Sequence, residues 1–326
     1  MTDPIIVHVS CIDEALVLTD ADQELKDLFA FLAENFWPGP LTCVLKADLT
    51  KIPMIITANT GYVGLRQPRT KVAQDLIRMS QRPIAAPSAN LFSHVSPTSS
   101  VHVFNDFFDK DVAILDGERC EFGIESTVAK LMKDEQGSKI VILRAGSLSE
   151  KSLKEALVKS DRFKDVRVEK IKKEAHVAED INSEAPGMLL KHYSPYIETF
   201  LVELVDKVAE SGFENIEVNR NETVLIDFGG ALKEISKDYL HYFSLSDSGD
   251  LREAMSNLYS VLRAAENIEG ANQILILNLN SYYLANESSV KSWDEYLETV
   301  YDKSFRSASG KKMQLNLQSK QFSREL

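Results

Sequence analysis

The chain holds 326 residues, 44% hydrophobic and 26% charged, which suits about two globular domains and excludes collagen-like, disordered and disulfide-scaffold classes. Its net charge of −12 is spread evenly, with 14 basic and 20 acidic side chains in residues 1–150 and 23 and 29 in residues 151–326, or −6 in each part. A protein that grips a nucleic-acid backbone clusters its Lys and Arg, so small anions are favoured over polyanions as partners.

In chain order, Ile5-Ile6-Val7-His8-Val9 reads as a strand. Leu25, Leu28, Phe29, Leu32 and Phe36 then fall at helical spacing behind Thr19 or Asp20 as N-cap, and Trp37-Pro38-Gly39-Pro40 stops that helix. Strands are predicted at 41–45, 62–66 and 83–86, with a short helix around 72–79 before the third, and again at 126–132 and 140–144. Many strands with few long helices point to a mixed sheet rather than a regular βαβ array. From Ser149 the chain is a Lys/Glu-rich helix and a charged stretch to Lys173, then a linker running through Ala185-Pro186-Gly187-Met188 to Ser194-Pro195. Beyond it come strand 223–228, ending in Gly229-Gly230, strand 242–245, helix 250–267, strand 273–279 and helix 291–305, a small α/β domain with a parallel sheet. The division expected is therefore 1–150, 151–196 and 197–326.

No run approaches the roughly 18 to 20 apolar residues that span a bilayer, and the opening MTDPIIVHVS lacks a signal peptide's charged and apolar regions, which reads as cytoplasmic by default. Cys11, Cys43 and Cys120 are odd in number and lack metal spacing, so they read as reduced thiols.

Several residues at strand ends could carry chemistry. Ala86-Pro87-Ser88-Ala89-Asn90, trailed by Ser93, Ser96 and Thr98, offers hydroxyls and a carboxamide for phosphate or carboxylate oxygens, or is simply a turn before a helix cap. Arg66 and Arg144 each end a strand, where a guanidinium could clamp a carboxylate or merely form a surface salt bridge. Ser126 and Thr127 open another strand, and His8 lies inside an apolar one, as a core histidine or as a ligand. Asp227-Phe228-Gly229-Gly230 is the second domain's lone hint of a nucleotide site.

Taken together these segments resemble the threonylcarbamoyl-AMP synthases in their long form, a YrdC-like catalytic domain with a twisted mixed sheet joined by a linker to a smaller Rossmann-like α/β domain. The resemblance rests on 4–9, 36–42, 63–68, 83–90 with 96–98, 123–128 and 142–146, and on the linker's 185–188 and Lys191-His192-Tyr193-Ser194-Pro195. It implies condensation of L-threonine, bicarbonate or CO2 and ATP into threonylcarbamoyl-AMP with release of pyrophosphate, with Mg2+ accompanying ATP. The product would pass to the tRNA threonylcarbamoyl transferase machinery that forms N6-threonylcarbamoyladenosine. Such chemistry needs positioning and electrostatic stabilisation rather than a protein nucleophile.

Carried over residue by residue, the resemblance assigns His8, Arg66, Ser88 and Ser126 to L-threonine, Ser88 and Asn90 to catalysis, and Tyr62, Asn90, Thr98, Arg144 and Tyr193 to ATP, with no metal ligand. Tyr62 would act through its backbone, and Tyr193 as a lid over the nucleotide. The sequence departs from the family at its start: an upstream strand and a Lys-x-Arg-Pro motif would precede Pro4, and Met1 stands where they should end. The expectation drawn from that departure is a catalytic domain incomplete at its N-terminus with severely reduced activity, and a mitochondrial form if a targeting segment precedes Met1. Two other readings are a double-stranded RNA or tRNA-binding module, with a basic patch of Arg66, Arg69, Lys71, Arg78 and Arg82, and a silent scaffold whose second domain docks a partner.

Overall fold

The computed structural model describes residues 3–171, 193–206, 213–285 and 295–325. These fall into two compact units. The first comprises the chain through Ser88, Leu115–Gly117 and residues 125–171, and the second comprises Ala89–Ile114, Glu118–Ile124 and the described residues from 193 onward. By contacts, residues 125–171 thus group with the first unit and Ala89–Ile114 with the second.

The first unit is a seven-stranded mixed sheet. In chain order its elements are β1 (Val7–His8), α1 (Ile12–Leu16), α2 (Gln23–Phe36), β2 (Leu41–Lys46), β3 (Tyr62–Arg66), α3 (Lys71–Ser80) and β4 (Ile84–Ala85). After α4 (Ser100–Phe107), which belongs to the second unit, follow β5 (Thr127–Asp134), β6 (Gly137–Arg144), α5 (Glu150–Val158) and β7 (Arg167–Lys170). The strand order is β4-β1-β3-β2-β5-β6-β7. Parallel pairs (β1 with β3, β2 with β5, β6 with β7) alternate with antiparallel ones. The charged stretch after α5 supplies an edge strand.

The expected helix start at Thr19 or Asp20 is two or three residues early. Asp22 is the N-cap, its carboxylate accepting from the Leu25 amide, while Thr19 bonds its hydroxyl to the Lys46 carbonyl and tethers the preceding turn to β2. From α2, Leu28, Phe29 and Leu32 are fully buried in the core that also takes Val7, Leu41, Cys43, Leu45, Leu65, Ile140 and Leu153. Each such side chain contributes about 1.5–3 kcal/mol by leaving water. Core residues alternate along the strands with polar ones. Val7-His8-Val9, Leu41-Thr42-Cys43 and Leu65-Arg66 each place the apolar member in this core, which turns His8, Thr42 and Arg66 to the opposite face.

The second unit is another seven-stranded sheet. It contains β8 (Glu198–Leu204), β9 (Phe213–Ile216), β10 (Thr223–Asp227), β11 (His241–Ser244), α6 (Leu251–Glu266), β12 (Gln273–Leu277), α7 (Leu279–Ala285), α8 (Glu295–Ser307), β13 (Lys312–Asn316) and β14 (Gln321–Glu325). Its order is β11-β10-β12-β8-β13-β14-β9. Five strands are parallel as expected, but β14 and β9 extend the sheet antiparallel, so it too is mixed. Asp250 and Asn267 cap α6 at the positions where the sequence bounds that helix. The Asp227 to Gly230 segment has a structural use. Asp227 is fully buried and accepts from the Phe228 and Leu232 amides and the Tyr242 hydroxyl. Gly229 has φ of 64°, and a Cβ there would strike the Tyr282 ring. Among the described residues no helix is long and apolar enough to cross a membrane.

Candidate active site

One row of residues crosses five strands at one end of the first sheet. His8 pairs directly with Arg66 across β1 and β3. Cys43 pairs with Leu65, which puts Thr42 level with Arg66 at the next position; Thr42 pairs with Val128, and Val128 with Arg144. The row thus gathers the carboxyl ends of β1, β3 and β6 and the amino ends of β2 and β5.

Two polar groups occupy it. At the β1–β3 side, His8 Nδ1 lies 3.3 Å from the Ile84 carbonyl. A carbonyl only accepts, so Nδ1 carries the proton and Nε2 the lone pair. Burial and then the neighbouring Arg66 charge lower the His8 pKa to about 4, so the ring is neutral at pH 7. Arg66 Nε donates to the Gly39 carbonyl at 3.0 Å, and Gly39 N donates to the Gln67 carbonyl at 3.0 Å. The Trp37-Pro38-Gly39-Pro40 turn, whose Trp37–Pro38 bond is cis, therefore orients the guanidinium.

At the β2–β5–β6 side, the Ser126 and Thr42 hydroxyls lie 2.8 Å apart. Arg144 donates from Nε and Nη2 to the Ser126 carbonyl at 3.2 and 3.0 Å, and from Nη2 to the Ser126 hydroxyl at 3.1 Å. All three residues are buried. Two glycines make this packing feasible. A Cβ at Gly146 would overlap the Ser126–Thr127 peptide, and one at Gly64 would press on the Thr42 methyl at 3.2 Å. Arg144 thus works first as a brace for Ser126.

The structure does not bring every predicted residue to the row. Tyr62 begins β3 and Arg66 ends it, so the two lie about 13 Å apart along the strand; Tyr62 faces Lys130, whose ammonium sits 3.8 Å from the ring centroid. Ser88 is exposed, and the antiparallel pairing of β4 with β1 carries the chain beyond Ala86 toward the start of β1, away from His8. Asn90, Thr98 and Tyr193 belong to the second unit. There Asn90 Nδ2 donates to the Leu91 and His94 carbonyls at 2.8 and 3.1 Å, and its Oδ1 is buried with no donor among the described residues. Thr98 is buried, its amide donating to His102 Nδ1 at 3.1 Å. Tyr193, expected as a lid, is 1% exposed and stacked on Tyr259 at 5.4 Å under the Lys303 ammonium, which makes it a core residue of its unit. The linker's 185–188, Lys191 and His192 lie outside the described residues.

Thr42 and the Gly39 carbonyl are site components that the sequence reading did not single out. The available signal was a lone hydroxyl in the apolar run Leu41-Thr42-Cys43-Val44-Leu45. Within the expected basic patch, Lys71 and Arg78 both pair with Asp75, and Arg66 is turned into the row. Among the described residues no three His, Cys, Asp or Glu side chains gather so as to hold a metal ion.

The mixed sheet thus presents a neutral histidine, an oriented arginine and braced hydroxyls in one row at a sheet end. Residues 1–146 match the family model described as "Telomere recombination", and residues 148–287 match "Threonylcarbamoyl-AMP synthase, C-terminal domain". The threonylcarbamoyl-AMP synthase of Pyrococcus abyssi is 34% identical over 264 residues, covering 80% of this chain and 71% of that protein. The Schizosaccharomyces pombe threonylcarbamoyl-AMP synthase is 30% identical over 300 residues, covering 84% and 71%. The crystal structure of P. abyssi Sua5 complexed with L-threonine superimposes with a TM-score of 0.72 at 26% identity, covering 97% of this chain and 83% of that one. The chain belongs to the threonylcarbamoyl-AMP synthase family, in the long form with both domains.

Proposed function

We propose that this protein makes L-threonylcarbamoyl-AMP and pyrophosphate from L-threonine, bicarbonate or CO2 and ATP, and that the row from His8 to Arg144 is where L-threonine binds. The row itself carries the reading. Threonine presents a carboxylate, an ammonium and a hydroxyl. Arg66, its plane set by Gly39, matches the carboxylate as a two-pronged donor. His8, neutral with its lone pair on Nε2, accepts from the ammonium or the hydroxyl, whereas a protonated ring would repel the amine. Ser126 and Thr42 supply hydroxyls that can donate to the carbamate formed when the amine adds to CO2. A carbamate oxygen then attacks the α-phosphorus of ATP and the bond to pyrophosphate breaks. No protein nucleophile is required, so the protein's contribution is orientation and charge stabilisation.

Asn90, whose buried Oδ1 calls for a donor, and Thr98 are the nucleotide contacts in this reading, and Mg2+ is held through the phosphates of ATP. The product passes to the machinery that transfers the threonylcarbamoyl group to tRNA.

The test is calorimetric titration with L-threonine. Arg66→Lys keeps the charge but loses the Gly39 bond and the fork geometry, so affinity should fall about tenfold or more, the worth of one bidentate charge-assisted contact. Unaltered threonine affinity in that variant, or no binding by the parent chain, would remove the assignment.

A further inference from the structure

The second unit holds a buried ionic cluster that the row does not use. His94 is 3% exposed, with Nδ1 3.1 Å from Asp106 Oδ1 and Nε2 2.8 Å from Glu266 Oε1. Arg263 makes a fork to Asp106, Nη1 to Oδ1 at 3.0 Å and Nη2 to Oδ2 at 2.7 Å, and its Nε donates to the Val95 carbonyl at 3.0 Å. Although burial opposes it, the Arg263 fork keeps the Asp106 carboxyl below its ordinary pKa, so Asp106 is an anion. A carboxylate has no hydrogen to give. Each ring nitrogen of His94 thus faces a carboxyl oxygen, Nδ1 that of Asp106 and Nε2 that of Glu266, the arrangement in which an imidazolium donates to both sides. Two cations then balance two anions inside the unit, the condition under which buried charges are tolerated.

The cluster grips two stretches of chain, the loop at Leu91–His94 and the segment at Tyr196. The Leu91 amide donates to Asp106 at 3.3 Å, the Tyr196 amide to Glu266 at 3.0 Å, and the Tyr196 ring stacks on His94 at 4.1 Å. The His94 carbonyl is itself an acceptor for Asn90 Nδ2. Hydrogen bonds from α6 therefore reach the His94 ring through Glu266 and the Leu91 amide through Arg263 and Asp106, and the Leu91 and His94 carbonyls are the acceptors of the Asn90 carboxamide.

We infer that His94, clasped as an imidazolium between Asp106 and Glu266, is a positioning residue that fixes the Asn90 loop on α6 for nucleotide binding. The nucleotide part rests on the reading of Asn90 given above, whereas the clasp stands on the geometry alone. It gives the second unit a task, to hold the nucleotide loop in register.

The experiment uses the full chain and the isosteric variant Glu266→Gln. In the parent, the nitrogen-15 spectrum of the His94 ring should show both nitrogens protonated at pH 7, and one unprotonated nitrogen would overturn the clasp without any variant. In Glu266→Gln, amide exchange of residues 90–98 should quicken about tenfold, the size of one charge-assisted bond lost. Unchanged exchange there overturns the clasp. Calorimetry with ATP and, separately, L-threonine supplies the other arm. ATP affinity falling about tenfold with threonine affinity within about twofold supports the positioning role. A loosened loop with unchanged ATP affinity refutes that role and the nucleotide reading of Asn90 while the clasp stands.

Discussion

The buried pair of hydroxyls at the head of β2 and β5 offers a quantitative test of how the row is built. Thr42 is fully buried and Ser126 is 3% exposed, and their oxygens lie 2.8 Å apart, with Arg144 Nη2 also on Ser126 Oγ. Ser126→Ala removes the partner of a hydroxyl that water cannot reach, which costs about 2 kcal/mol; Thr42→Val leaves Ser126 still bonded to Arg144 and costs about 1 kcal/mol. If the two hydroxyls satisfy each other, the double variant costs about 2 kcal/mol rather than the additive 3, a coupling of about 1 kcal/mol. Urea unfolding followed by tryptophan fluorescence measures this, with Trp293 replaced by Phe so that Trp37 is the reporter. Trp37 is suited to the purpose because its indole donates to the Leu41 carbonyl at 2.7 Å, at the start of β2. With a denaturant slope of about 2 kcal/mol per M, Ser126→Ala should lower the midpoint by about 1 M. Strict additivity of the two substitutions would refute the paired-hydroxyl account.

Three further outcomes follow from the same structure. Gly146→Ala, whose methyl would overlap the Ser126–Thr127 peptide, should destabilise the first unit by about 2–4 kcal/mol and weaken L-threonine binding together; a stability change under about 0.5 kcal/mol would show that the backbone there is not constrained. His8 has a folded-state pKa of about 4 against 6.5 unperturbed, so the unfolded chain binds the extra proton first. Its contribution is full above pH 6.5 and is lost as pH falls toward 4, and His8→Gln should flatten the stability profile in that window. Cys11 and Cys120 are exposed, while Cys43 is buried and its thiol pKa is pushed up by desolvation. Iodoacetamide should therefore label the native protein at two sites and the unfolded protein at three; rapid native labelling of Cys43 would contradict the core packing around β2.

Elements with strong local signals were legible from the residues. The α6 boundaries follow from Asp250 and Asn267 at its ends, and β3 from the apolar run ending at Arg66. Weaker local patterns misled. Three candidate caps stand close together before α2, and of these the Asp22 carboxylate is the one that accepts from an amide of the helix's first turn, that of Leu25. The charged Arg167–Lys170 strand lacked an apolar pattern and forms because it pairs with β6 at the sheet's edge.

The site divides in the same way. Which residue types hold anions was in the sequence, and so was the motif order that resembles the family. Strand register could not be, because it is set by pairing between segments far apart in the chain. That register places His8, Arg66, Thr42 and Arg144 in one row, and it carries Tyr62 to the other end of β3. The fates of His94 and Tyr193 were likewise settled by tertiary packing. Their neighbours, Glu266 and Tyr259, come from a helix more than 60 residues further along the chain than either of them, and burial against that helix decides whether a ring is a surface group, a ligand or a core element.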